Sequence, residues 1–220
     1  MSFMPPHLLQ AIITTRNKTD FDNYKQKVEL TAFKPTEGKT YIKECLESSL
    51  CQPSNKDIEA LIQEVGLIPQ NLALAVGYIK MPSNAITTIQ QYIDELQALK
   101  DQGIKKRGKL VLPEAKLGLK KLDAVSQQLM RYGAYLDPDF IPTSLLISLL
   151  KIDSREGLSN ILAPLEKLSL ITIIRGQWGE LGIQIHREIQ KACRDYADWH
   201  EGATIPQETL LLNILEVLYE

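Results

Sequence analysis

Residues 8–13 constrain the fold more than any other stretch: Leu8, Leu9, Ala11, Ile12 and Ile13 form a near-continuous apolar run that stops on Thr14, Thr15 and Arg16. With Ile12 and Ile13 β-branched, the run suits a strand buried on both faces of a parallel sheet. Such a strand needs neighbours. Only nine residues precede Gln10, too few for another strand with its crossover helix, and most of the chain beyond Arg16 reads as helix.

The chain of 220 residues is long enough for one large domain or several small ones, and its 44% apolar content suits a protein with a real core. Charge is nearly balanced, 25 Lys+Arg against 27 Asp+Glu, so no global field draws it to nucleic acid or an anionic membrane. Cys45, Cys51 and Cys193 stand in no metal-ligand spacing, and no signal-peptide pattern opens the chain. A reducing cytoplasm is the expected location. No run approaches the ~20 apolar residues of a membrane span.

After the first strand, residues 27–30 offer a second short one, and Pro35 with Thr36 opens a helix to about Leu50. Ile58, Leu61, Ile62 and Val65 fall at the i, i+3, i+4, i+7 spacing of an amphipathic helix ended by Gly66. Pro69 starts another helix, with Leu72, Ala75, Val76 and Ile79 as its stripe. Ile86, Ile89, Ile93 and Leu96 mark a fourth, so residues 35–100 read as a small helical bundle. Residues 101–117, with Gly103, Gly108 and Pro113, read as a linker whose basic run Lys105, Lys106, Arg107 and Lys109 is most simply solvated, with phosphate contact as the alternative.

Residues 118–200 change pattern. Leu122, Val125 and Leu129 give one helix, Pro142 opens a second, and Asp153 with Glu156 suggests a capped start to a third, which Pro164 should kink. Two apolar runs within 170–185, separated by a Gly-bounded turn, read as a β-hairpin. Ile185, Ile189, Ala192, Cys193 and Tyr196 continue as a helix, and the whole suggests a winged-helix domain. Residues 201–220 carry a last stripe, Leu211, Ile214, Leu215 and Leu218, expected to start a helical repeat region.

Three groups invite a binding role. Gly38-Lys39-Thr40 ends a P-loop pattern, but Phe33 stands where the first glycine should be and Glu37 would set a carboxylate beside the anion. The alternative is a helix start capped by Thr36, with Phe33 packed on Tyr41. Arg16 sits at the carboxyl end of the first strand, where open α/β sheets place their ligands, and reads equally as an exposed arginine or a phosphate contact. His186 begins a helix, either as a boundary residue or as a neutral donor to an anion. His7 and His200 have no partner at metal-ligand spacing, so no metal is expected.

Taken in order, these pieces resemble the NB-ARC module of STAND signalling NTPases, especially the bacterial proteins in which it precedes tetratricopeptide repeats. Residues 11–17 are similar to the strand ending in that family's sensor arginine, and residues 28–46 to the next strand and first helix of its helical subdomain. Residues 64–79 resemble its Gly-Leu-Pro-Leu motif with Ile68 as an extra residue. Residues 134–142 and 165–174 resemble its winged-helix portion, and residues 183–196 the segment whose histidine contacts nucleotide.

The resemblance implies Arg16 as sensor of the terminal phosphate, Pro69 packed beside the adenine, and His186 against the β-phosphate of ADP. It also implies that the P-loop and the Mg²⁺-binding strand, the missing part of the sheet, lie upstream of Met1. The expected fold is mainly α: a small α/β remnant (1–34), a helical bundle (35–100), a linker (101–117), a winged-helix domain with one β-hairpin (118–200) and the start of a repeat region (201–220). The expected function is that of a truncated signalling switch module, which in the intact family closes over ADP and controls oligomerisation. Alone, this chain is expected neither to bind nor to hydrolyse nucleotide, since ADP or ATP would need an upstream P-loop half. Expected partners are proteins: that upstream half, a downstream repeat region or a second copy, with no membrane and no nucleic acid. The alternatives are a winged-helix nucleic-acid-binding protein and a degenerate P-loop ATPase using Lys39. Against nucleic acid, the candidate recognition helix, residues 154–168, offers only Arg155 and Lys167 among leucines.

Overall fold

The computed structural model describes residues 28–107, 112–177, 179–196 and 206–219. The chain divides into two compact units, Met1–Thr31 and Ala32–Glu220. The apolar run at 8–13 and Arg16 lie outside the described residues. Residues 28–30 are irregular, with Val28 and Leu30 exposed, where a strand was expected over 27–30. Apolar and β-branched residues make a strand only against a pairing edge, so the local pattern is insufficient there.

The second unit is mainly helical with a small antiparallel sheet. Helix α1 (Pro35–Leu46) has Pro35 in its first turn, where the missing N–H costs nothing. Its cap is Glu37, not Thr36: the Glu37 carboxylate accepts from the Lys34 N–H at 2.7 Å. The helix also stops before Leu50, because the Ser49 hydroxyl donates to the carbonyls of Leu46 (2.8 Å) and Cys51 (2.7 Å) and turns the chain away. Helix α2 (Asn55–Val65) starts on a capping box, with the Asp57 N–H donating to Ser54 Oγ and the Ser54 N–H to the Asp57 carboxylate. It ends at Gly66, whose φ of 81° favours glycine. Helix α3 (Pro69–Lys80) buries the expected stripe and also Leu74 and Tyr78. Helix α4 (Ile89–Arg107) opens on a second capping box, Thr88 with Gln91, and buries Ile89, Tyr92, Ile93 and Leu96.

The structure corrects the linker expected over 101–117. Helix α4 continues to Arg107, and residues 113–117 begin helix α5 (Pro113–Lys120), with Ala115, Leu117 and Leu119 buried. Helix α5 packs on α3 and α4 on one side and on α9 (Arg187–Arg194) on the other. Apolar residues on both sides of a short helix draw it inward despite its basic and glycine-rich approach.

Helix α6 (Ala124–Gly133) is capped by Asp123, which accepts from the Ser126 N–H at 2.7 Å; Leu122 and Leu129 are buried, whereas Val125, expected in the core, is 43% exposed. Strand β1 (Ile141–Pro142), absent from the sequence reading, precedes α7 (Thr143–Leu150), so Pro142 ends a strand and the helix opens one residue later. Helix α8 (Arg155–Lys167) is capped by Ser154, which accepts from the Gly157 N–H at 3.1 Å, rather than by Asp153, and it continues through Pro164. Strands β2 (Thr172–Arg175) and β3 (Leu181–Gln184) form the hairpin, with Thr172 opposite Gln184 and Arg175 opposite Leu181. Strand β1 pairs antiparallel with β3 on its other edge, giving the order β1-β3-β2. Helix, strand, two helices and a hairpin, with the first strand paired to the last, is the element order expected of a winged-helix domain.

One apolar core runs from Ile42 in α1 to Tyr196 after α9. It passes without a break from the helical bundle to the winged-helix elements. The two meet closely at Gly77: a Cβ there would stand 2.6 Å from the Lys167 carbonyl oxygen and 3.0 Å from the Leu168 carbonyl carbon. Helix α10 (Gln207–Tyr219) lies on α7 and forms a smaller cluster with Tyr132 and Leu149.

Candidate functional site

The Gly38-Lys39-Thr40 segment lies inside α1. The Gly38 N–H donates to the Lys34 carbonyl at 3.0 Å, and Gly38 is buried where a Cβ would meet Leu67 Cδ2 at 2.6 Å. A P-loop needs those N–H groups turned toward phosphate. Lys39 Nζ is 2.5 Å from Glu59 Oε1, and that pair holds the Glu59 carboxyl below its usual range. Phe33 stacks tilted on Tyr41 at 5.8 Å, as expected, and its N–H donates to the Leu67 carbonyl.

Of the three residues implied by the resemblance, Pro69 and His186 are described. Pro69 is exposed at the start of α3, beside Ile68, which is also exposed. His186 is exposed and caps α9: its Nδ1 accepts from the Glu188 N–H at 3.3 Å, and its carbonyl accepts from Ile189 and Gln190. An accepting Nδ1 assigns the proton to Nε2, which is thereby a donor toward solvent. The two residues stand on helices that share one neighbour, α5: α3 also packs on α1, α2, α4 and α8, and α9 on α6.

The sequence reading missed two polar clusters in the helical bundle. In one, the Tyr78 hydroxyl donates to Glu95 Oε2 at 2.5 Å, with Lys121 Nζ 3.6 Å from Glu95 and 5.7 Å from the Tyr78 ring centroid. Burial, then the Glu95 carboxylate, push the Tyr78 phenol well up. In the other, Glu64 accepts from Lys100 (2.6 Å) and Gln97 (2.9 Å). Burial opposes the charge on Glu64, but those hydrogen bonds prevail and hold its carboxyl below its ordinary range.

Nearby, Glu114 is 4% exposed in the first turn of α5, and its Oε2 has no hydrogen-bond partner among the described residues; nor has the buried Tyr92 hydroxyl. Burial, reinforced by the Glu64 charge, pushes Glu114 up against the pull of its own backbone N–H and Lys100. Acids in first helical turns are common, and placing residues 101–117 in a linker hid this one.

A carboxyl whose folded pKa is raised contributes stability below its unfolded pKa, near ~4.3, and loses it as pH rises through the folded value. Glu114→Gln removes that loss. The variant should match wild type in urea unfolding at about pH 4 and exceed it at pH 7. A variant less stable than wild type at pH 7 would show that the carboxylate is satisfied there.

Burial pushes the Cys193 thiol up to about 12, with Arg194 and Lys116 opposing, and Cys51 is also buried and raised. Among the described residues no cluster of His, Cys, Asp and Glu could hold a metal ion, and no helix is long and apolar enough to cross a membrane.

The third winged-helix helix, α8, turns Leu158, Leu162 and Leu165 inward. Its exposed side carries Glu156, Ser159, Asn160, Ala163, Glu166 and Lys167. Neither the protein-family models nor the curated proteins contain a match to this chain.

Proposed function

We propose that the chain is a regulatory switch module of STAND type, acting through protein contacts rather than as an enzyme. The observation that carries this reading is the unbroken core joining a helical bundle to a winged-helix unit whose third helix is spent on packing. That order is the one the NB-ARC resemblance implies. The winged helix then serves as a structural arm, and His186, with an outward donor, is the group that would meet the β-phosphate of ADP. Arg16 would sense the terminal phosphate and Pro69 would pack beside the adenine.

In this reading the chain alone binds ADP weakly or not at all. Each hydrogen bond to a charged phosphate contributes about 1.5–3 kcal/mol, against an association cost of about 4–15 kcal/mol. Helix α1 spends the Gly38 N–H and Lys39 on other partners, which supports a site dependent on a phosphate cradle from another segment.

Calorimetry with ADP tests this, on the chain alone and together with any P-loop segment encoded upstream. The expected result is binding only in the combination, unaffected by Lys39→Ala. Tight binding by the chain alone that Lys39→Ala abolishes would favour a degenerate P-loop ATPase. Sequence-selective, salt-resistant binding to duplex DNA would favour a nucleic-acid-binding winged helix instead.

A further inference from the structure

Helix α10 uses only part of its apolar surface. Leu210 and Ile214 are buried beside Tyr132 and Leu149, with Val217 packed against them, and Asn213 Nδ2 donates to the Tyr132 hydroxyl at 3.0 Å. At 100° per residue, Leu218, Leu211, Leu215, Tyr219 and Leu212 succeed one another round the next arc of about 120°. They are 58%, 39%, 49%, 89% and 58% exposed. An apolar arc this wide is the width a helix ordinarily buries, unlike scattered exposed leucines.

The charges around the arc select its occupant. Glu208 lies within it near the amino end and Glu216 borders it, both exposed, and residues 206–219 contain no Lys, Arg or His. A second copy would bring the Glu208 and Glu216 carboxylates of both chains to one seam with no cation from either helix, which like-charge repulsion disfavours. An anionic lipid surface meets the same objection. A helix with an apolar stripe bordered by lysine or arginine satisfies both the leucines and the glutamates.

We propose that the outer face of α10 is a docking site for a basic amphipathic helix of a protein partner. This goes beyond the switch reading and does not depend on nucleotide. The probe is a labelled 18-residue peptide with leucines at i, i+3, i+4 and i+7 bordered by lysines, titrated into the full chain and followed by anisotropy. A matched peptide with glutamate for lysine is the comparison.

The lysine peptide should bind saturably and at least about tenfold more tightly than the glutamate peptide, less so as salt rises. Leu212→Ser/Leu215→Ser should abolish binding, and Glu208→Lys/Glu216→Lys should reverse the preference. Circular dichroism checks that these exposed substitutions leave the fold intact. Equal affinity for both peptides, no saturable binding, or binding that survives the serine variant would overturn the proposal. So would a dimer seen in sedimentation that the serine variant dissolves, which would assign the face to a second copy.

Discussion

Gly77→Ala should destabilise the protein by about 1–3 kcal/mol or more, although alanine is the better helix former by about 0.8–1 kcal/mol. The new Cβ would stand 2.6 Å from the Lys167 carbonyl oxygen and 3.0 Å from the Leu168 carbonyl carbon. A flexible side chain could swing aside, but this backbone cannot. Ser169, with φ 56°, closes α8: its N–H donates to Glu166, and the Leu170 N–H donates to Leu165. Retreat would break those hydrogen bonds or separate α3 from α8.

The control is Gly118→Ala in α5, where the nearest atom is Leu170 Cδ1 at an ordinary 3.7 Å. There helix propensity acts unopposed, and the variant should gain about 0.5–1 kcal/mol. Thermal unfolding of the pair is the measurement, with about 2–4 °C expected per kcal/mol at this chain length. If both alanines shifted stability the same way, the close approach of α3 and α8 would be wrong.

Gln190→Leu should cost about 1–3 kcal/mol, because one buried amide donates to two carbonyls, of which only that of Gly133 keeps another donor among the described residues, the Leu136 N–H at 3.4 Å. Gln190 is 5% exposed, and its Nε2 donates to the carbonyls of Gly133 at 2.8 Å and Leu136 at 2.9 Å. Those oxygens lie at the carboxyl end of α6 and in the turn after it, where a helix leaves acceptors open. Arg194 donates to Ala134 one turn further along α9, so that helix ties off the end of α6 twice. Leucine is apolar and close in size, so most of the loss comes from the missing hydrogen bonds, with its branched Cγ adding a smaller repacking cost. Gln90→Ala, exposed and donating to Asp94 at 2.8 Å, should stay within about 0.5 kcal/mol of wild type. Urea unfolding of both would decide, and a Gln190→Leu variant as stable as wild type would show that water or a backbone shift satisfies those carbonyls.

The continuous core bears on how such a module moves. If the chain switches, α3, α5 and α8 travel together, because separating them exposes Ala115, Leu117, Leu119 and the Gly77 seam. The helical and winged-helix portions are then one moving body.

What the sequence determined by itself was set within a few turns of chain. The stripe Ile58, Leu61, Val65 is buried, the break at Gly66 has positive φ, Pro69 opens α3, and the hairpin forms across a Gly-bounded turn. Each stems from side-chain periodicity or from one residue's backbone preference, which act locally whatever surrounds them.

Tertiary structure alone decided the rest. It drew residues 113–117 out of an expected linker into the core, since burial in α5 answers to α3, α4 and α9 rather than to neighbours in sequence. It made a strand of Ile141 and Pro142, which have no strand signal until β3 offers an edge. It also set the partner of Lys39, whose Nζ meets Glu59 twenty residues away. Gly38 and His186 were settled locally instead: the Gly38 N–H donates back to Lys34 within α1, and His186 Nδ1 accepts from the Glu188 N–H two residues on. Residue type sets which bonds a side chain can make, and only the packed chain sets which of those partners arrive.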